Sequence, residues 1–270
     1  LSSRIERTVL SFLVPENNSQ TLDTGTPMNK PFLIAGLIGL AAVVAALFVS
    51  KPLAGYTFRC PPGFTRPVVA LEFIASEQEL ITFFGPSALA GEDGEMTLTD
   101  EKNAIRRSLG LDFMFIPLYT LYLMSFAWAI YRQNRKKGYL LLILLAALIG
   151  LADIFENGAI QMLLNKFMPP AHNLEVADFQ RLHFFAWTKW LGLVLYFAAV
   201  LPFLRLAGRL GQLLTLAAVV VCCSGLWAFF HKDWIEQFTV SVFLFFPLAV
   251  VFCFFYKYTP PIQETGGSVS

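Results

Sequence analysis

Residues Gly138 to Met168 read GYLLLILLAALIGLADIFENGAIQMLLNKFM, and this stretch decides the class of the protein. It is long and apolar enough to cross a bilayer, because about 20 residues that rise about 1.5 Å each span the hydrocarbon. Asp153, Glu156 and Asn157 interrupt it at spacings that place all three on one face of a helix. A charge at the centre of such a helix costs about 2.5–3.5 kcal/mol. The stretch therefore predicts a spanning helix whose polar face is buried against protein.

The composition of the whole chain also indicates a membrane protein. Of its 270 residues, 56% are hydrophobic and only 14% are charged, whereas about a quarter of a soluble domain is charged. The formal net charge is +1, so nothing in the overall charge favours nucleic acid as a partner. The four cysteines show no CxxC and no Cys/His ligand spacing, which argues against zinc fingers and thioredoxin-like sites.

Five further apolar segments predict an all-α integral membrane protein of about six transmembrane helices. The predicted spans are Pro31–Ser50, Leu111–Tyr131, the central stretch, Phe184–Leu204, Gln212–Phe230 and Glu236–Tyr256. Residues 1–30 are then a cytoplasmic N-terminal segment, residues 111–257 a five-helix transmembrane bundle, and residues 258–270 a cytoplasmic tail.

Residues 51–110 have a different character, since Pro, Gly and charged residues are frequent there. The run VVALEF, residues Val68–Phe73, resembles a short strand. The run Ser76–Glu79 has the pattern of a capping box and predicts a helix that continues to Phe84. Thr99–Asp100 can cap another helix that leads into the membrane. We therefore expect a small extracytoplasmic α/β insert that packs onto the helix ends or onto a partner.

The distribution of Lys and Arg predicts the orientation. Basic residues concentrate in the short loops after the second and fourth spans and directly after the sixth: Arg132, Arg135, Lys136, Lys137, Arg205, Arg209 and Lys257. The positive-inside rule then places both termini in the cytoplasm. We expect a multi-pass protein of a bacterial inner membrane, with the lipid bilayer and other integral membrane proteins as its partners.

With this orientation, the polar residues of three spans fall in the same half of the membrane, although spacing along the chain does not require it. They are Asp112 and Tyr119 of the second span, Asp153, Glu156 and Asn157 of the third, and Lys189 of the fourth. This coincidence predicts one shared site or network, whose core is formed by Asp153, Glu156 and Lys189.

Two interpretations of the network remain open. In the first it is structural: Lys189 pairs with Asp153 or Glu156 and fixes the register of the helices, as polar residues do in membranes. Ala146 and Gly150 lie on the same predicted helix face and would let a neighbouring helix come close. In the second it is a polar pocket for a cation, a proton or a lipid headgroup, because intramembrane acids are often functional and the acids outnumber the lysine.

The sequence identifies no cofactor. His183, near the start of the fourth span, is the candidate for a metal ligand beside Asp153 and Glu156, but no HExxH or similar spacing supports a metal site. No catalytic signature is present. The sequence thus predicts a non-catalytic accessory or structural subunit of a larger membrane complex, or alternatively a transporter or intramembrane enzyme that uses Asp153, Glu156 and Lys189.

Overall fold

The structure is a computed structural model that describes residues 29–85, 92–167 and 173–257, with residues 92–96 described by their backbone only. The predicted cytoplasmic segment and tail lie outside these ranges. The helices are α1 (Lys30–Val49), α2 (Pro67–Glu72), α3 (Glu77–Phe84), α4 (Glu92–Asn134), α5 (Gly138–Lys166), α6 (Val176–Leu204), α7 (Gly208–Phe230) and α8 (Ile235–Phe255), with 3-10 turns at Lys51–Leu53 and Lys232–Trp234.

Six helices of the described chain, α1 and α4 to α8, are long and apolar enough to cross a membrane. Each packs against the next along the chain, and α8 packs back against α1, so the six form a closed ring. Leucines on the outside of the ring remain exposed, for example Leu141, Leu195 and Leu244, as expected for side chains that face lipid. The predicted all-α fold with six spans is confirmed.

Aromatic side chains fill one end of the ring. Phe32 of α1 is fully buried, and its ring centroid lies 5.8 Å from those of Phe126, Phe203 and Phe252. The ring of Tyr256 is closer still, at 4.6 Å. Pairs at these separations stabilise a core beyond the area that they bury. The phenylalanines of α1, α4, α6 and α8 therefore join four separate helices at this end.

The predicted strand is wrong: no strand occurs among the described residues, and Pro67–Glu72 form the short helix α2. Pro67 occupies the first turn, where its fixed φ favours a helix and its missing N–H is not needed. All side chains from Val69 to Ile74 are buried, so the period-2 alternation of a half-buried strand is absent. Tertiary packing decides this segment rather than the β propensity of its valines.

The predicted start of α3 is confirmed. The Ser76 hydroxyl accepts a hydrogen bond from the Glu79 backbone N–H at 3.2 Å, and the Glu79 carboxylate accepts one from the backbone of Ala75 at 2.8 Å. The helix ends at Phe84, and the residue that follows it, Gly85, has a φ of +65°, which suits glycine.

The helix predicted from Thr99 and the span predicted at Leu111–Tyr131 are one continuous helix. At 43 residues, α4 is about 65 Å long, about twice the hydrocarbon thickness. The predicted border at residue 110 thus falls inside a helix. Near it, the Ser108 hydroxyl donates to the backbone oxygen of Val49, which joins α4 to the end of α1.

Among the contacts that attach the 51–85 segment to the end of the bundle, two sets lie at or beside α2. In one, the backbone N–H and the hydroxyl of Thr65 donate to Glu236 at the start of α8. The guanidinium of Arg66 approaches the same carboxylate, with 3.8 Å between Nε and Oε1. In the other, α2 packs against α5 and α6. These contacts fix the position of Glu72, the last residue of α2.

Candidate functional site

The ammonium group of Lys189, on α6, is the centre of a buried polar cluster. Its Nζ lies 2.7 Å from Oε1 of Glu156, 3.1 Å from Oε2 of Glu72 and 3.3 Å from Oδ1 of Asp153. All four side chains are buried, with Glu156 only 1% exposed. An ammonium has three N–H donors, so the three carboxylates can accept all of them.

Asp153 and Glu156 reach Lys189 because of their spacing on α5. Residues three apart lie on one helix face, and this face of α5 is the one that packs against α6 and α4. Gly150, one turn earlier, brings α4 close: a Cβ at this position would lie 2.3 Å from the Thr120 hydroxyl oxygen. The close approach that the small residues predict is therefore present.

Two further predicted residues connect the cluster to α4. The Tyr119 hydroxyl donates to Oδ2 of Asp153 at 2.7 Å. The Asn157 amide donates to Oδ2 of Asp112 at 2.6 Å. Asp112 is partly exposed, whereas Asn157 is buried. The structure thus brings all six predicted residues into one neighbourhood, with the Asp112–Asn157 pair at its rim.

Glu72 is the residue that sequence reasoning missed. Its Oε2 accepts hydrogen bonds from the indole N–H of Trp190 at 2.9 Å and from Lys189 at 3.1 Å. An acid within the apolar run Val68–Ile74 was the available signal, by the same logic that singled out Asp153. The sequence predicted a strand in an insert outside the membrane, and from such a position Glu72 is not expected to be buried against the bundle.

His183 lies apart from this cluster. Its imidazole is half-buried beside Phe73, with 6.3 Å between the ring centroids. In the ranges that the structure describes, no three His, Cys, Asp or Glu side chains are arranged to hold a metal ion. The geometry therefore does not bring His183 together with Asp153 and Glu156 as a ligand set.

The charges of the cluster do not balance. Four carboxyl groups, those of Glu72, Asp112, Asp153 and Glu156, face the one ammonium of Lys189. The second carboxylate oxygen of Glu156 is buried and has no hydrogen-bond partner among the described residues. Uncompensated negative charge is strongly disfavoured in an interior of low dielectric constant. Chemically, the cluster can hold helices together, and it can also take up protons or a cation.

Burial raises the pKa of the Glu72 carboxyl above its ordinary value of 4.5, and the Lys189 ammonium opposes this effect. The folded state therefore binds this proton more tightly than the unfolded state. It follows that the stability contribution falls as the pH rises from 4.5 through the folded-state pKa. We expect the melting temperature of the wild type to fall more steeply over this range than that of Glu72→Gln. Thermal unfolding in detergent at a series of pH values measures both slopes, and parallel curves would contradict the expectation.

Comparison with known proteins identifies no relative: no protein-family model, no curated protein and no solved structure matches this chain. The geometry of the Lys189 cluster is therefore the basis on which a function can be proposed.

Proposed function

We propose that this multi-pass membrane protein is a non-catalytic accessory or structural subunit of a larger membrane assembly, in which the Lys189 cluster acts as an internal cross-link. One observation carries this proposal. The three donors of the Lys189 ammonium face carboxylates of the protein itself, from Glu72, Asp153 and Glu156. With these contacts formed, the ammonium has no donor left for a ligand.

The cluster is placed where a cross-link has the largest structural effect. Lys189 belongs to α6, its partners belong to α2 and α5, and Tyr119 adds α4 through Asp153. In an interior of low dielectric constant, the ion pairs and hydrogen bonds of Lys189 favour one arrangement of the elements that they join. This network therefore sets the register of three spanning helices and holds the 51–85 segment against them.

The accessory role is tested by the composition of particles extracted from native membranes. The tagged full chain is extracted into nanodiscs with an amphipathic copolymer, without detergent, and is examined by native mass spectrometry. We expect particles in which the 30.2 kDa chain is bound to other membrane proteins at a fixed stoichiometry. Extraction from cells that express an unrelated tagged membrane protein is the control. Particles that contain this chain alone would contradict the proposal.

A second candidate function is transport or intramembrane catalysis that uses the same cluster. The observation in its favour is the excess of carboxyl groups, together with the unpartnered oxygen of Glu156. Protons or a bound cation would relieve the excess. In proteoliposomes with imposed H⁺, Na⁺ or K⁺ gradients, this candidate predicts a flux that Glu156→Gln abolishes and the exposed Lys136→Gln leaves unchanged. A flux equal to that of protein-free liposomes would exclude transport of these ions.

We further propose that the protein lies in a bacterial inner membrane with both termini in the cytoplasm, as the positions of Lys and Arg indicate. A membrane-impermeant maleimide applied to intact cells should then label Gln78→Cys, in the 51–85 segment, but not Lys136→Cys, in the loop between α4 and α5. Both positions are exposed. Cys60 is replaced by Ser in both variants to remove the native thiol of the segment. Labelling at position 136 alone would show that the protein has the opposite orientation.

A further inference from the structure

A groove of about 470 Å³ opens on the outside of the helix ring between α6 and α7. It lies at the end of the bundle that carries the 51–85 segment, and its polarity changes along its length. Gln180 and His183 line it near the start of α6, Phe184 and Trp187 follow, and Leu191 lies furthest along the helix. The wall is thus polar where α6 leaves the membrane and apolar further in, which is the order of headgroup and acyl chain in a lipid.

One polar residue, Thr188, lies in the apolar part of the groove without contradicting this order. Thr188 lines the apolar part of the groove, but its hydroxyl donates to the backbone oxygen of Phe184 at 2.6 Å. The hydroxyl is therefore satisfied within its own helix, and the residue can present its methyl group to the groove.

The aromatic wall of the groove is held in place by packing. The ring of Trp187 makes edge contacts with Phe73 on one side and Phe229 on the other, at centroid distances of 5.3 and 5.0 Å. His183 also packs beside Phe73. Phe73 of the 51–85 segment thus helps to hold these two side chains in place, and a ligand would not have to order them on binding.

Opposite charges lie side by side near the polar end. Lys232 and Glu79 form an ion pair with 3.7 Å between Nζ and Oε2, and their side chains are 41% and 38% exposed. Lys232 follows Phe229, which lines the groove, by three residues in the chain. An exposed ion pair of this kind is weak, so its two groups can exchange partners at little cost. A phosphate and an ammonium on one headgroup complement such a pair, whereas an anionic headgroup leaves the carboxylate opposed by negative charge.

We propose that this groove is a binding site for a zwitterionic phospholipid of the phosphatidylethanolamine type, whose phosphate lies toward Lys232 and whose ammonium lies toward Glu79. Its acyl chain follows Trp187 and Leu191 into the membrane. The site is separate from the Lys189 cluster and does not depend on the function proposed for it.

Native mass spectrometry of the purified, delipidated full chain tests the proposal. Phosphatidylethanolamine and phosphatidylglycerol with identical acyl chains are titrated separately. We expect Thr188→Trp, which fills the groove from an exposed position, to bind phosphatidylethanolamine roughly tenfold more weakly than the wild type. Leu195→Trp is the matched control, because this residue is exposed two turns further along the same helix and does not line the groove. Equal binding by the two variants would overturn the site.

A charge exchange tests the orientation of the headgroup. We expect Lys232→Glu to remove the preference for phosphatidylethanolamine over phosphatidylglycerol, and the double variant Lys232→Glu with Glu79→Lys to restore it. A wild type that binds both lipids equally would overturn the zwitterionic assignment. A photo-activated crosslinker at Gln180 in intact membranes should capture lipid; capture of a protein chain instead would identify the groove as a protein docking surface and overturn the proposal.

Discussion

Replacing Lys189 with Met is expected to lower the free energy of unfolding by about 3–5 kcal/mol, the usual cost of removing one partner from a buried ion pair. The substitution preserves most of the side-chain volume, so the loss does not come mainly from a cavity. It comes from Glu72, Asp153 and Glu156, whose carboxylates lie within 3.3 Å of the ammonium and would face one another without a cation. Thermal unfolding of the purified protein in mild detergent measures the change.

A combined variant separates charge from packing. If Glu72→Gln, Asp153→Asn and Glu156→Gln accompany Lys189→Met, no stranded charge remains among these four residues, and the amide oxygens can still accept from Tyr119 and Trp190. We expect this variant to recover most of the lost stability. A variant that leaves Glu72 unchanged should recover less, because this carboxylate lies in the same cluster.

Lys136→Met is the control for the loss of a lysine as such, since this side chain is exposed in the loop after α4 and should change stability by no more than about 0.5 kcal/mol. A Lys189→Met variant as stable as this control would show that the cluster is not a cross-link. If the combined variant were stable but had lost an ion flux present in the wild type, the second candidate function would be favoured.

The sequence could predict the membrane fold because lipid imposes a simple rule. A spanning helix needs about 20 apolar residues, and few other structures satisfy the backbone N–H and C=O groups inside the hydrocarbon. The cost of placing a charge in the hydrocarbon identified Asp153, Glu156 and Lys189, since a charge inside a span needs a partner in the protein. Their common depth followed from the orientation of the helices. For this reason the contributions of α4, α5 and α6 to the cluster could be predicted from the sequence alone.

The contribution of α2 could not be predicted by the same reasoning. Outside the membrane, VVALEF is compatible with either a strand or a helix, and only its burial against α5 and α6 decides between them. The direction in which a short segment folds back onto a bundle depends on contacts such as Thr65 with Glu236, which link residues far apart in the chain. Glu72 therefore became visible as a cluster residue only when its neighbours were known.

The second large effect is expected at Gly150, on the face of α5 that carries Asp153. A Cβ there would lie 2.3 Å from the Thr120 hydroxyl oxygen and 3.0 Å from its methyl carbon. Gly150→Leu must therefore push α5 away from α4, and overpacking of this kind costs about 1–3 kcal/mol or more. Because Tyr119 is the neighbour of Thr120, the same displacement should weaken the 2.7 Å hydrogen bond from Tyr119 to Asp153.

Gly158→Leu is the matched control on the same helix, since a Cβ at this position meets nothing within 4 Å. Both substitutions gain the same helix propensity, about 1 kcal/mol relative to glycine, so the difference between them isolates the helix contact. We expect Gly158→Leu to be at least as stable as the wild type in thermal unfolding, and Gly150→Leu to be clearly less stable. Adding Tyr119→Phe should cost less in Gly150→Leu than in the wild type, because the hydrogen bond is already weakened there. Equal effects of Tyr119→Phe in both backgrounds would mean that the glycine does not position the cluster.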